Sequence, residues 1–383
     1  SVDDRARTTV ALGAVEALLS TGRTDEALAL IDSSLPVARR LRDELPHAEA
    51  VLVGMRAMAL RLAGHLVDAT TLSENAYAVL LQGRSAAGTA VEANSLGLIW
   101  LARGRVRTAL RFCRESAALL RDGDGVGMLA FALAGVVQAA GQAGEPQAAR
   151  EALAEMERTA LGHKGFQVEL ELARAWGAAA SGELSRARAL ASEASALAGS
   201  RAQDAYAVRA LHELCRLGDP ARAAPELARL AGRVDGPFAP TAAAHAEALV
   251  AGDGAALLEV AERFAAAEAL LVAAEAADAA ATAHRDAGRP SSARVAAARA
   301  ALWLAKCEGA RPPTMLTAPQ AVDLTPRERE IALLAAAGAS SREIADRLVI
   351  SVRTVDNHLQ NAYRKLGVTR RQDLPRVLSG APD

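Results

Sequence analysis

Residues Gly144–Met156 read GEPQAAREALAEM, and most of the chain varies this phrase. The glycine ends one helix in a left-handed cap that other residues enter at a cost. Pro146, with its fixed φ, suits the start of the next helix. Ala149 then falls in the first turns of that helix, where a small side chain lets two helices approach closely. Ala149, Leu153 and Met156 continue at three- and four-residue steps, the period of a helix with one apolar face.

The spacing Gly-x-x-x-x-Ala recurs as Gly22/Ala27, Gly64/Ala69, Gly104/Ala109, Gly144/Ala149, Gly182/Ala187, Gly218/Ala223 and Gly288/Ala293, with Leu257 in the alanine place after Gly252. A period of roughly 34–42 residues is that of an α-α hairpin of two helices and their turns. Composition agrees. Hydrophobic residues make up 51% of the 383 and aromatics only 3%, so alanine and leucine carry the apolar load, and close-packed helices are favoured over strands. Cys113, Cys215 and Cys307 are odd in number and scattered, which argues against a disulfide framework or a zinc site and for small buried apolar residues. The most apolar stretch, Val126–Val137, is too short to span a bilayer and reads as a buried helix. With no basic-then-apolar leader, the chain is expected to be soluble and cytoplasmic.

The repeats resemble tetratricopeptide-like hairpins over roughly residues 3–307, although the full aromatic signature of that motif is absent. The resemblance implies a helical superhelix that binds peptides, proteins or small molecules, or acts as a spacer. Trp100, Trp176, Trp303, Tyr77 and Tyr206 are readable either as a ligand groove or as hairpin core. Pro237 and Pro240, and the alanine-rich run Phe264–Ala283, suggest looser packing or an exposed edge there. Residues 1–308 are thus read as a repeat domain for sensing or interaction. Residues 309–323, with Pro312, Pro313 and Pro319, read as a semi-extended linker that lets the parts move, and residues 324–379 as a separate small domain.

That last segment begins LTPREREIALLAAAGASSREIADRLVISVRTVDNHLQNAYRKLGV. From Gln320 to Leu378 it carries ten Lys/Arg and seven Asp/Glu, a net +3 against −4 for the remainder. A small basic module on a mildly acidic body fits a nucleic-acid reader. Thr325 caps a first helix, with Pro326 in its first position and Glu328 closing a capping box. Ile331, Leu333, Leu334 and Ala337 give that helix an apolar side, and Gly338 ends it. Ser340 and Glu343 repeat the box for a short second helix whose inner face is Ile344, Ala345 and Leu348. After a turn at Val349-Ile350, Ser351 caps a third helix with Val352, Val355, Leu359, Tyr363 and Leu366 facing the core. Arg353, Asp356, Asn357 and Gln360 fall on the opposite face, where polar side chains reach base edges in a major groove. A fourth helix is expected from about Thr369 to Leu378. Two short helices joined by a tight turn, the second presenting polar groups, make a helix-turn-helix.

These residues resemble the LuxR-type (GerE-like) DNA-binding domain. Leu324-Thr325-x-Arg327-Glu328-x-Glu330 matches its opening, Ile344-Ala345-x-x-Leu348-x-Ile350-Ser351-x-x-Thr354-Val355-x-x-His358 its centre, and Lys365-Leu366-Gly367-Val368 with Arg371 its close. The fold expected for the whole chain is therefore all-α, a tetratricopeptide-like α-α hairpin superhelix followed by a four-helix LuxR-type helix-turn-helix domain. The resemblance implies major-groove reading by the third helix and a homodimer on double-stranded DNA formed through the fourth.

Candidate base readers are Arg353, Asp356, Asn357 and Gln360. Candidate phosphate contacts are Thr354, His358, Lys365, Arg370 and Arg371, with Arg353 serving either role. For His358 the alternative is a structural part in fixing the helix. Where the family often has lysine, this chain has Asp356, which either accepts from a cytosine amino group or pairs with Arg353 at the surface. Arg327, Glu328 and Glu330 read as capping groups and surface ion pairs. No cofactor is expected and no enzymatic role: the histidines are dispersed and no metal-ligand spacing appears. Long LuxR-type regulators such as the maltose-operon activator place an ATPase ahead of a helical repeat, but no phosphate loop occurs here. That part has been removed, which a start at Ser1 without methionine permits, or the chain is a short member. The reading is a transcriptional regulator whose array senses a small-molecule or protein effector, the alternative being an interaction scaffold with weak or positional DNA binding.

Overall fold

The computed structural model describes residues 2–41, 43–45, 48–83, 86–124, 127–159, 164–312, 324–366, 368 and 370–375. Among these it is all α, with no strand. Eight hairpins make the body: α1 (Val2–Thr21) with α2 (Thr24–Arg40), α3 (Ala48–Ala63) with α4 (Leu66–Gln82), α5 (Ala86–Ala102) with α6 (Val106–Arg121), and α7 (Leu129–Ala143) with α8 (Pro146–Arg158). They continue as α9 (Gln167–Ala180) with α10 (Leu184–Ser200), α11 (Asp204–Arg216) with α12 (Pro220–Leu230), α13 (Phe238–Ala251) with α14 (Gly254–Ala266), and α15 (Leu270–Asp286) with α16 (Pro290–Leu304).

The eight periodic glycines sit at the eight hairpin turns, each with positive φ, from 61° at Gly252 to 95° at Gly64. The residues five places on are buried, six of the seven alanines completely so. Close approach of paired helices is thus built from the two residue types that the repeat spells out. The alanine-rich run is not loose. Ala273, Ala274, Ala276, Ala277, Ala280 and Ala281 of α15 are all fully enclosed, because α14 and α16 come close enough to cover side chains that small. Among the aromatics, Trp176, Tyr206 and Trp303 are buried in core clusters, and Tyr77 and Trp100 pack at the edge of one. The three cysteines are free and buried, and burial pushes each thiol up to about 12. From Ala130 to Ala143 every residue of α7 is buried, as the apolar run implies, while Val126 lies outside the described residues. No helix among the described residues is long and apolar enough to cross a membrane.

The superhelix closes on itself. The turn glycines of the first five hairpins abut chain that arrives much later: Gly22 meets Val234, Gly64 meets Phe238, Gly104 meets Leu271, Gly144 meets Arg311 and Gly182 meets Leu333. Acidic side chains clasp this seam. Asp235 accepts from the amide of Asp25 in α2. Glu308 accepts from the amide and hydroxyl of Thr108 in α6, at 2.8 and 2.7 Å. Both meet a first helical turn, where backbone N–H groups lack intrahelical partners. Between them Glu268 pairs with Arg103 at 3.1 Å. Glu268 and Glu308 both hold a left-handed backbone, φ 62° and 57°, that costs a non-glycine residue about 1 kcal/mol or more. Just past α16, the Arg311 amide donates to the Gln142 carbonyl at 2.8 Å, so the segment read as a linker is anchored at its start. Pro313 to Asp323 lie outside the described residues.

Under the seam lies a cavity of about 330 Å³ walled by both turns of the superhelix. Leu66 and Leu101 come from the first turn, Phe238, Phe264 and Leu271 from the second, and α11 runs between them. None of the tryptophans or tyrosines lines it.

Candidate nucleic-acid interface

The C-terminal domain is built from its caps upward. In α17 (Pro326–Ala336) the Glu328 amide donates to Thr325 Oγ1 and the Thr325 amide to Glu328 Oε2, at 3.2 and 2.8 Å. In α18 (Ser341–Leu348) Ser340 and Glu343 make the same reciprocal pair. These satisfy amides at the start of each helix that would otherwise need water. Ser351 Oγ accepts the Thr354 amide at 3.1 Å and so caps α19 (Val352–Leu366). Val349 makes the turn before it with φ 53°, a strained position for a β-branched residue.

Ile331, Leu334, Ile344, Ala345, Val355, Leu359 and Leu374 are the buried centre, with Leu348, Tyr363 and Leu366 packed around it. Two expected core positions are corrected. Val352 is 42% exposed, because the first residue of α19 precedes the point where the helix meets the core. Ala337 is exposed at the end of α17, and Ala362 is buried in α19 instead.

The face of α19 away from this core carries Arg353, Asp356, Asn357 and Gln360, all exposed. They stand at i, i+3, i+4 and i+7, one helical stripe. Among the described residues none of the four side chains makes a hydrogen bond or ion pair within the protein, and Arg353 does not pair with Asp356. Four side chains with donor and acceptor groups unspent point to solvent from a packed helix.

The other predicted contacts are placed differently. Thr354 is half-buried, sharing a 2.7 Å hydrogen bond with Ser351 Oγ, and His358 is half-buried beside it on the helix. Lys365 Nζ donates to Glu328 Oε2 at 2.7 Å. Burial works against the Glu328 carboxylate, but Lys365 and the Thr325 groups outweigh it and hold its pKa below the usual range. Arg371 donates to the Ala339 carbonyl, and Arg370 is exposed. After α19 the described chain makes a 3-10 turn at Arg371–Asp373. Thr369 and the segment from Arg376 onward lie outside the described residues, so six of the ten positions of the expected fourth helix are described, and they open as this 3-10 turn.

Glu330 corrects a further expectation. It is no surface residue but 2% exposed, because it reaches across to the repeat body. Its carboxylate accepts from the Ser185 amide at 2.9 Å and the Ser185 hydroxyl at 3.0 Å, at the start of α10, while Arg327 holds it from behind at 2.8 Å. Leu333 packs on Gly182 and the adjoining body core, and Arg347 lies 3.6 Å from Glu183. The C-terminal domain therefore occupies the next place along the seam, through the outer side of α17, and the polar stripe of α19 is left open. Neither Glu330 nor the seam was legible as a contact, since α10 lies 145 residues away in sequence.

Comparison with known proteins agrees with this geometry. Residues 322–378 match the family described as GerE, bacterial regulatory proteins, luxR family. A putative HTH-type transcriptional regulator of Mycobacterium tuberculosis (strain H37Rv) is 47% identical over 51 residues, covering 13% of this chain and 6% of that protein. The spore germination protein GerE of Bacillus subtilis is 50% identical over 48 residues, 12% of this chain and 65% of that protein. The transcriptional regulatory protein MctR of Rhizobium johnstonii is 50% identical over 46 residues, 12% of this chain and 22% of that protein. The chain thus spans less than two thirds of each of these relatives. The solved structure of a Rap protein complexed with competence and sporulation factor aligns with a TM-score of 0.57 at 14% identity, over 78% of this chain and 98% of that one, a likeness of fold. The chain ends in a helix-turn-helix domain of the luxR family, carried on a tetratricopeptide-like helical body.

Proposed function

We propose that this protein is a sequence-specific DNA-binding transcriptional regulator whose α19 reads base edges in a major groove. The observation that carries the reading is the stripe Arg353, Asp356, Asn357 and Gln360, whose side chains are exposed and without internal partners on a helix capped by Ser351 and packed on α17 and α18. Asn357 and Gln360 have the amide geometry for bidentate contact to adenine, Arg353 for guanine, and Asp356 accepts from a cytosine amino group. Thr354, His358 and Arg370 contact phosphates. Lys365 and Arg371 do so by exchanging their present partners, Glu328 and Ala339. Two copies bind as a homodimer.

The repeat body acts as the sensor, taking a small molecule or a protein partner. Its docking through Glu330 supports control by placement: the body holds the domain through α17, leaves the DNA-reading stripe open and so sets how two copies align on DNA. An effector shifts that arrangement only by its preference for one state.

The test is binding of the full chain to a genomic DNA library at about 0.15 M salt, a condition where non-specific phosphate contacts weaken. Asn357→Ala and Gln360→Ala should each lose a defined half-site by roughly 1–3 kcal/mol. Steeply salt-dependent binding with no sequence preference, unchanged in the variants, would replace this reading with an interaction scaffold.

A further inference from the structure

The cavity under the seam has an apolar end and a charged end. Of the charged side chains lining it, four are arginines, Arg61, Arg209, Arg216 and Arg263, and one is Glu213. Their states differ. Arg216 is saturated: it forks onto Glu275 at 2.7 and 2.9 Å and also reaches Glu213 at 2.9 Å and Gln142 at 3.1 Å. Glu213 in turn accepts from Trp176 Nε1 at 3.1 Å. His212 bonds His245 at 3.1 Å, and burial keeps both rings below the ordinary histidine range, so this pair adds no charge. Arg263 pairs with Glu259 on its own helix and lies half-exposed.

Arg61 and Arg209 are different. Both lean on a single carboxylate, Glu169, at 3.3 and 3.2 Å, beyond the 2.7–2.9 Å of a good charge-assisted bond. Arg209 adds a 2.8 Å bond to Gln138, while the Arg61 side chain makes no other among the described residues. The Arg61 side chain is only 4% exposed, and a guanidinium carries five N–H donors. Glu169 stays ionised, since the two arginines outweigh its burial. Two guanidinium groups therefore share one carboxylate at this wall, and Arg61 has donors to spare, while the two carboxylates on Arg216, Glu213 and Glu275, offset the extra charge over the cavity as a whole.

We propose that this cavity is a binding site for a small monocarboxylate with an apolar, ring-sized tail. Its carboxylate lies on Arg61 and Arg209, and its tail runs between Phe238, Phe264 and Leu271. The planar fork of arginine fits a carboxylate, which takes up the donors that the shared Glu169 leaves unmet. The occupant touches both turns of the superhelix. It also lies against Gln142, whose carbonyl holds the Arg311 amide ahead of the C-terminal domain. Only the regulatory consequence rests on the sensing role proposed above.

The experiment uses the full chain with phenylalkanoates from phenylacetate to 6-phenylhexanoate, each beside its primary alcohol, by calorimetry and thermal denaturation. The acids should bind and raise the melting temperature, and the alcohols should not. Arg61→Met should weaken acid binding roughly tenfold or more, as loss of a charge-assisted contact does, measured at a temperature where the ligand-free variant is folded. Ala266→Trp, an exposed position at the rim, should obstruct binding without touching the core. No binding across the series, equal binding of acids and alcohols, an equal response to acetate alone, or undiminished binding in Arg61→Met would each overturn the assignment. DNA affinity is measured in parallel: acid binding that leaves it unchanged refutes the sensing role and keeps the site.

Discussion

Replacing Glu330 with alanine should undock the C-terminal domain, and one amide reports it. Ser185 lies in the first turn of α10, where its N–H has no intrahelical acceptor, and its partner is Glu330 Oε1 at 2.9 Å. The hydroxyl makes the second bond, at 3.0 Å. Hydrogen bonds to an ionised acceptor contribute about 1.5–3 kcal/mol each, so losing two costs about 3 kcal/mol at the low end. That is roughly a 100-fold shift in the docking equilibrium. Hydrogen–deuterium exchange of the peptide around Ser185 should accelerate by about that factor. Ser340 supplies the control. Its amide is held by Glu343 at 2.7 Å inside the C-terminal domain, so it keeps its protection if the domain stays folded. Unchanged exchange at Ser185 would refute the clasp, and equal acceleration at Ser340 would mean that the domain unfolded instead.

The buried pair His212 and His245 should make the body acid-sensitive. Burial, with Arg216 and Arg209 near His212 and Arg216 near His245, keeps both rings neutral, His245 down to about 4. Above pH 6.5 both are neutral folded or unfolded. Below it only the unfolded chain takes up protons, and stability falls, by about 2 kcal/mol at pH 5 from His245 alone. Denaturation midpoints between pH 7 and 5 should fall for the parent and stay flatter for His212→Leu/His245→Leu; matching profiles would contradict this. Gly97→Ala places a methyl against Cys113 Sγ inside the α5–α6 hairpin and should cost about 1–3 kcal/mol in urea, an unchanged midpoint meaning that the hairpin has slack. Asp356→Lys should move the preferred DNA site away from cytosine at one position. An unaltered preference would show that Asp356 does not read a base.

The glycine period announces the body because a hairpin turn needs a left-handed residue at one place in each repeat, and all eight glycines take that role. The caps of α17 and α18 are equally local: Thr325–Glu328 and Ser340–Glu343 satisfy each other within one turn. The reading stripe follows from helical periodicity. What periodicity does not carry is the return of the chain on itself, which depends on small rotations accumulated over five hairpins. Glu330 thus looks like a surface partner of Arg327, with nothing nearby to mark Ser185 as its target. The cavity is hidden for the same reason. Arg61 and Arg209 come from distant hairpins and meet only through Glu169, and each alone reads as an ordinary helix arginine.

The seam changes what kind of object the array is. An open solenoid is a row of neighbours, each repeat answering only to the next, and it frays from its ends. Here Asp235, Glu268, Glu308 and Glu330 tie residues 210, 165, 200 and 145 positions apart, so successive turns of the superhelix are strapped to one another along the seam. Turns strapped in this way melt together, not repeat by repeat from the ends inward. They also fold slowly, since ties at such separations form only after long loops have closed.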